Sequence, residues 1–192
     1  MNSYYRLLIN WHLTLNFSGI RHFCDNYFMI KPAIFQIPGY NYLSALESAF
    51  IIDRIPRYDL MGKEILKTFE KYFTGDQAII YSIMGYKDRM ISGVLENIVM
   101  LEMKRRGFRV FTGKWGKKEV DFVAEKNENK IYVQVAYKMV EQSTIDREFS
   151  PLILIKDNHP KFVVTMEQFW KDNIEGVKHI HIVDFLLMES WV

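Results

Sequence analysis

The clearest pattern in the chain lies between residues 92 and 138. In SGVLENIVMLEMKRR, apolar residues recur at Val94, Leu95, Ile98, Val99 and Leu101, the spacing of one helix face. Ser92 is placed to cap the start of this helix. Lys104, Arg105 and Arg106 fall in its last turn, where they favour the negative end of the helix dipole, and Gly107 stops it. Period two then takes over. FRVFTG, EVDFVAE and KIYVQVAYK read as three strands, and the short polar turn Lys126–Asn129 makes the last two antiparallel. A helix from about Ser143 to Ile155 follows, then the strand KFVVT, an excursion through Trp170 and a final strand near HIHIV. Elements in this order predict an α/β fold, a mixed sheet flanked by helices on both faces.

Upstream the pattern changes twice. Residues 1–38 are aromatic-rich and charge-poor, ionised only at Arg6, Arg21, Asp25 and Lys31. Tyr4, Leu8, Trp11 and Leu15 fall at helical spacing, a stripe suited to core or partner packing. In residues 39–90, Asn41 can cap a helix that carries Leu43, Leu46, Glu47 and Phe50. AFIIDRIPRYDLMGKEILKTFEKYF then reads as a strand, a turn around Asp59–Gly62 and a returning strand. A helix followed by a basic hairpin is the layout of a winged helix. Arg54, Arg57, Lys63, Lys67 and Lys71 either project towards phosphates from this hairpin or solvate an exposed face. The chain thus divides into 1–38, 39–90 and 91–192.

Composition narrows the function classes. The 192 residues are 49% hydrophobic and 25% charged, and the net charge of +2 confines any basic surface to a local patch. Cys24 is the single cysteine, which excludes an internal disulfide and fits a reducing cytoplasm. No run approaches the ~20 apolar residues of a membrane span. The uncharged stretch Leu7–Ile20 is interrupted by Asn10, His12, Asn16 and Ser18, and has neither the cationic start nor the cleavage site of a signal peptide. Gly62-Lys63 and Gly113-Lys114 lack the upstream glycine and the hydroxyl of a phosphate-cradling loop, so no ATP binding is expected. His179 and His181 alternate on one strand without further zinc-spaced ligands, which suits structural or surface roles.

The carboxylates carry more. On a regular strand Glu119, Asp121, Val123 and Glu125 share one face, and on its partner Tyr132, Gln134, Ala136 and Lys138 do the same. With Asp121 and Gln134 facing the same way on adjoining strands, their oxygens converge on one hard cation, and Glu96 reaches in from the preceding helix. Mg²⁺ or Mn²⁺ in such a site activates water and stabilises charge on a phosphodiester. Otherwise these are polar positions satisfied by backbone, water or Lys138.

That arrangement is the one found in PD-(D/E)XK nucleases. GVLENIVMLEMKRRGFRVFTGKWGKKEVDFVAEKNENKIYVQVAYK, with GVKHIHIVDFLL, resembles the C-terminal region of a widespread prokaryotic family. Its members join an AAA-type ATPase to a winged helix and then to a nuclease-like domain of unknown function. NYLSALESAFIIDRIPRYDLMGKEILKTFEKYF is similar to the linking winged-helix segment, so the resemblance covers roughly residues 41 to 187. It implies a restriction-endonuclease-like mixed sheet preceded by a partial winged-helix segment. Within it, Glu96 is the helix carboxylate, Asp121 the strand aspartate, and Gln134 stands where the E-x-K glutamate belongs; Glu96 and Asp121 would be the metal ligands.

Two departures weaken catalysis. Gln134 is neutral, and Ala136 occupies the lysine position. Lys138 could substitute only by swinging back along two strand residues, roughly 6.6 Å, and misplaced catalytic groups are costly. The resemblance therefore implies a catalytically impaired module that binds DNA or a partner protein, with Arg54, Arg57, Lys63, Lys114, Lys117, Lys118 and Lys138 available to phosphate. The alternatives are a metal-dependent DNA phosphodiesterase using Glu96, Asp121 and Lys138, and a homodimer formed through residues 1–38. The ATPase module is missing, so no ATPase activity is expected. Residues 1–38 either derive from an unrelated frame in a truncated gene or cover apolar surface that an ATPase would bury.

Overall fold

The computed structural model describes residues 39–167 and 173–192; segment 1–38, with its aromatic stripe and Cys24, and Trp170 lie outside the described residues. Helix α1 (Gly39–Ser48) leads into the hairpin β1 (Ile52–Asp59) and β2 (Glu64–Thr74). Helix α2 (Gln77–Met84) and a 3-10 turn (Asp88–Met90) precede the long helix α3 (Ile91–Arg105). Strands β3 (Arg109–Trp115), β4 (Lys118–Lys126) and β5 (Asn129–Val135) form an antiparallel meander. Helix α4 (Gln142–Leu154) crosses over to β6 (Lys161–Thr165), which lies parallel to β5, as a parallel pair requires. A two-residue β7 (Asn173–Ile174), β8 (Val177–His181) and α5 (Ile182–Leu187) complete the chain.

These strands form one mixed sheet in the order β2-β1-β3-β4-β5-β6-β8-β7. The hairpin expected as part of a winged-helix segment continues that sheet: β1 lies parallel to β3 through Arg57–Asp59 and Thr112–Lys114. Its own pairing breaks at Pro56, which has no N–H for the ladder. On either side of the break Ile55 pairs with Lys71 and Arg57 with Leu66, so residues 67–70 form a wide bulge in β2.

Helices cover both faces. Leu95, Val99, Met100 and Met103 of α3 pack on Phe122, Ala124, Ile131 and Val133. Phe185 of α5 joins the same core and stacks on Trp191 at 4.5 Å between centroids. On the other face Ile145, Phe149 and Leu152 of α4 cover Phe111, Val120, Val123, Tyr132 and Val163. Each fully buried side chain of this size contributes about 1.5–3 kcal/mol. Two-sided burial is why β4 and β5 have near-continuous buried cores instead of alternating polar residues. Among the described residues no helix is long and apolar enough to cross a membrane.

Several boundaries differ from the sequence expectation. Helix α1 begins at Gly39, which puts Asn41 inside it. The 3-10 turn feeds directly into α3, so Met90 is the capping position and Ser92 lies within the helix. The last strand ends at His181, and the following Ile182 and Val183 belong to α5. Helix α2, β7 and α5 carried too few residues to leave a clear periodicity.

Candidate functional site

Asp121 sits at an irregularity in β4. Phe111 of β3 pairs with Val123, but Gly113 pairs with Val120, so Asp121 and Phe122 together oppose Thr112. This bulge corrects the same-face expectation for Glu119, Asp121, Val123 and Glu125. Val120 and Val123 both pack beneath α4, whereas Glu119 and Asp121 meet Lys71. The bulge depends on Gly113: a Cβ there would approach Val123 Cγ2 to 2.8 Å and Val120 Cβ to 2.9 Å. Asp121 Oδ2 accepts from the Val135 amide at 2.9 Å, and the Asp121 amide donates to Gln134 Oε1 at 3.2 Å.

Lys71 fills the space between the carboxylates. Expected on the hairpin surface, it is 7% exposed instead. Its Nζ lies 3.0 Å from Glu119 Oε1, and 3.8 Å from both Glu96 Oε2 and Asp121 Oδ1. The bulge preceding it in β2 brings this strand residue to that position. Arg57 Nη2 reaches Glu119 Oε1 at 3.2 Å.

The electrostatics follow from burial and crowding. Burial, reinforced by the Asp121 charge, pushes the Glu96 carboxyl up to about 8. Burial also pushes Asp121 up, against the opposing pull of Lys71, to about 6. Burial alone would lower Lys71, but Asp121, Glu96 and Glu119 hold its ammonium above the ordinary lysine range. Burial thus favours the protonated form of Glu96, and Lys71 and Arg57 stand against the charges of Glu119 and Asp121.

Gln134 is committed elsewhere. By alternation it shares its face with Tyr132 and Ala136, towards α4. Its Nε2 donates to Glu148 Oε2 at 2.8 Å, and Arg147 Nη2 holds Glu148 Oε1 at 2.7 Å. Ala136 is buried. Lys138 lies beyond the end of β5, exposed, with its Nζ 5.0 Å from the centre of the Tyr137 ring. The expectation that Asp121 and Gln134 face the same way is therefore corrected: the bulge turns Asp121 to Glu96 and Lys71, whereas Gln134 faces α4, and Lys138 lies outside. Among the described residues no three His, Cys, Asp or Glu side chains are arranged to hold a metal ion.

The basic residues separate in the same way. Arg54 pairs with Glu47 and Glu70, each at 3.5 Å, and Arg57 is spent on Glu119. Lys63, exposed in the β1–β2 turn, and Lys117, exposed in the β3–β4 turn, lie at the same end of the sheet. The Leu60 amide donates to the Lys114 carbonyl at 2.9 Å, and Met61 Sδ stands 3.8 Å from where a Cβ on Gly116 would be. Half-buried Lys114 and exposed Lys118 complete this basic tip; Lys118 Nζ also donates to Ser150 Oγ at 2.8 Å. His179 is buried 2.8 Å from Thr165 Oγ1, and His181 Nδ1 accepts from the Val183 amide, so both histidines have structural contacts.

Lys71, read only as one of the hairpin cations, and Glu148, not singled out, are the cluster positions whose place the sequence did not show. Lys71 looked like one cation among several in a charged hairpin. Its place between Phe69-Glu70 and two aromatic residues in FEKYF was the available signal, since a lysine next to buried positions needs a carboxylate. Glu148 was masked by the charged run DRE in α4.

The chain is 40% identical over 146 residues to an uncharacterized protein of Haemophilus influenzae, a match covering 76% of this chain and 36% of that protein. It is 29% identical over 157 residues to the uncharacterized protein MJ1544 of Methanocaldococcus jannaschii, 76% of this chain and 34% of that protein. The chain spans about a third of the length of these curated relatives. No family model and no solved structure matches it.

Proposed function

We propose that this chain is a restriction-endonuclease-like module that binds DNA at one end of its sheet without cutting it, related to the C-terminal region of the AAA-type ATPase family it resembles. The observation that carries this reading is the meeting of two hairpin turns, which gathers Lys63, Lys114, Lys117 and Lys118 on one tip. Lysines so placed recognise phosphate as point charges and impose no base sequence. Against cleavage stand Gln134, engaged by Glu148, Ala136 at the position of the motif lysine, and Lys71 among the carboxylates.

A gel shift with duplex DNA across a salt series tests the reading. Affinity should fall with salt by a log–log slope of about −0.9 per phosphate contact. Lys63→Ala/Lys117→Ala should reduce that slope by about 2. Plasmid DNA should stay intact in Mg²⁺ or Mn²⁺. Nicking that Asp121→Ala abolishes would install the metal-dependent phosphodiesterase in its place. A complex indifferent to salt, or none, would favour association with protein, including a second copy through residues 1–38.

A further inference from the structure

We propose that Lys71 is a positioning residue, the resident counter-cation that holds Glu96, Glu119 and Asp121 together in place of a divalent ion. The inference rests on the reading above, that the site is nuclease-like in descent and does not cleave.

Glu96 and Asp121 are buried and Glu119 is partly exposed, and carboxyl groups crowded in this way ionise together only with something positive between them. Here that group is covalently part of the chain. An ammonium has three N–H donors, and Lys71 Nζ faces three acidic side chains, at 3.0, 3.8 and 3.8 Å. It arrives from β2, a strand separated from β4 by β1 and β3, by way of the bulge at residues 67–70. Arg57 holds Glu119 from the neighbouring strand, and the second Asp121 oxygen is taken by the Val135 amide. A divalent ion among the same oxygens would sit against the ammonium, and like charges at that distance repel. Glu96 and Asp121, the metal ligands that the resemblance implies, are present, but in this geometry they face the Lys71 ammonium. Lys71 also ties the hairpin to α3 and β4 through a single charge, which links residues 39–76 to the site.

The consequence is a metal indifference that one substitution should reverse. Thermal melts of the wild type should coincide in EDTA and in millimolar MnCl₂. Lys71→Met, which keeps the length of the side chain and removes the charge, should melt lower in EDTA and regain roughly 5 °C or more in MnCl₂, the size expected of a site near saturation. Lys71→Met/Asp121→Asn should lose the Mn²⁺ response, and Lys71→Arg should behave as wild type. A folded Lys71→Met without a Mn²⁺ response overturns the proposal, since a merely structural lysine would produce that result. A wild type that responds to Mn²⁺ as strongly as the variant overturns it too. Should Lys71→Met fail to fold in either condition, Lys71→Met/Glu96→Gln, which removes one carboxylate with the ammonium, is read by the same criterion. The DNA-binding reading is decided separately by the gel shift: loss of salt-sensitive binding would reject it and leave the Mn²⁺ result standing.

Discussion

The Gln134 side-chain amide donates to the Glu148 carboxylate across 2.8 Å, and both residues are buried. A glutamate at 134, the residue the nuclease motif would have, could not make this bond. Gln134→Glu should therefore destabilise the fold, by about 1–3 kcal/mol for the lost donor alone and more from two acids in contact. Urea denaturation should show the loss at neutral pH, with recovery towards low pH as the pair takes up a proton. Gln134→Glu/Glu148→Gln restores a donor and an acceptor, and should recover most of the stability. If the single variant matches wild type at pH 8, the Gln134–Glu148 bond does not stabilise the site.

Glu96 supplies a pH dependence of definite sign. Burial lifts its carboxyl to about 8 from an ordinary 4.5. Between roughly pH 4.5 and 8 the unfolded chain has released this proton and the folded chain still holds it, so the folded state binds more protons and its stability falls as pH rises. Below 4.5 both forms are protonated, and above 8 the loss is complete. Asp121, lifted to about 6 from 3.8, adds to the decline at lower pH. Glu96→Gln mimics the protonated form and cannot ionise. Its stability relative to wild type should rise from pH 5 to pH 8, on the order of 1 kcal/mol per pH unit where the slope is steepest. Urea midpoints at four pH values measure this difference directly, and a constant offset would mean that Glu96 ionises normally in the fold.

The layered α/β arrangement was legible because α3 carries apolar residues at helical spacing and the meander strands are short apolar runs separated by polar turns. The bulge at Asp121 was not. Alternation assigns a face only while the register holds, and the residue that sets the register here, Gly113, acts by having no side chain. Glu96 and Asp121 were recognisable as a pair because the resemblance places one on the long helix and the other on a strand that follows it, and the structure brings both to Lys71. Lys71 comes from a strand four positions along the sheet order from β5, a relationship that no local spacing encodes. The two basic turns were likewise read separately, since only the parallel pairing of β1 with β3 puts them at one end.

Arg106 fastens the C-terminus. Its guanidinium donates to the carbonyls of Leu186 at 2.7 Å and Met188 at 2.6 Å and stacks over Trp191 at 4.2 Å, while Nε bonds Glu102 at 2.7 Å. A planar fork meets these partners together, and a lysine cannot. Arg106→Lys should cost about 1.5–3 kcal/mol, the value of one or two charged hydrogen bonds. Tryptophan fluorescence with proteolysis of the C-terminal segment should report the release. An unchanged digestion rate would show that Phe185 and Trp191 hold α5 without this clamp.

Gly113→Ala tests whether the β4 bulge positions the site. The new methyl would lie 2.8 Å from Val123 Cγ2 and 2.9 Å from Val120 Cβ, against two branched side chains in the packed α4 face. Relief requires β3 to move away or β4 to change register, and overpacking of this kind costs about 1–3 kcal/mol. A change of register would turn Asp121 away from Lys71 and leave the ammonium with Glu96 and Glu119. In hydrogen exchange, the Val135 amide, bonded to Asp121 Oδ2 at 2.9 Å, should then lose protection well beyond the global loss. Amides in the β6–β8 pair, remote from the bulge, should follow global stability alone. Equal loss at both places would show that Gly113 serves packing without fixing the position of Asp121.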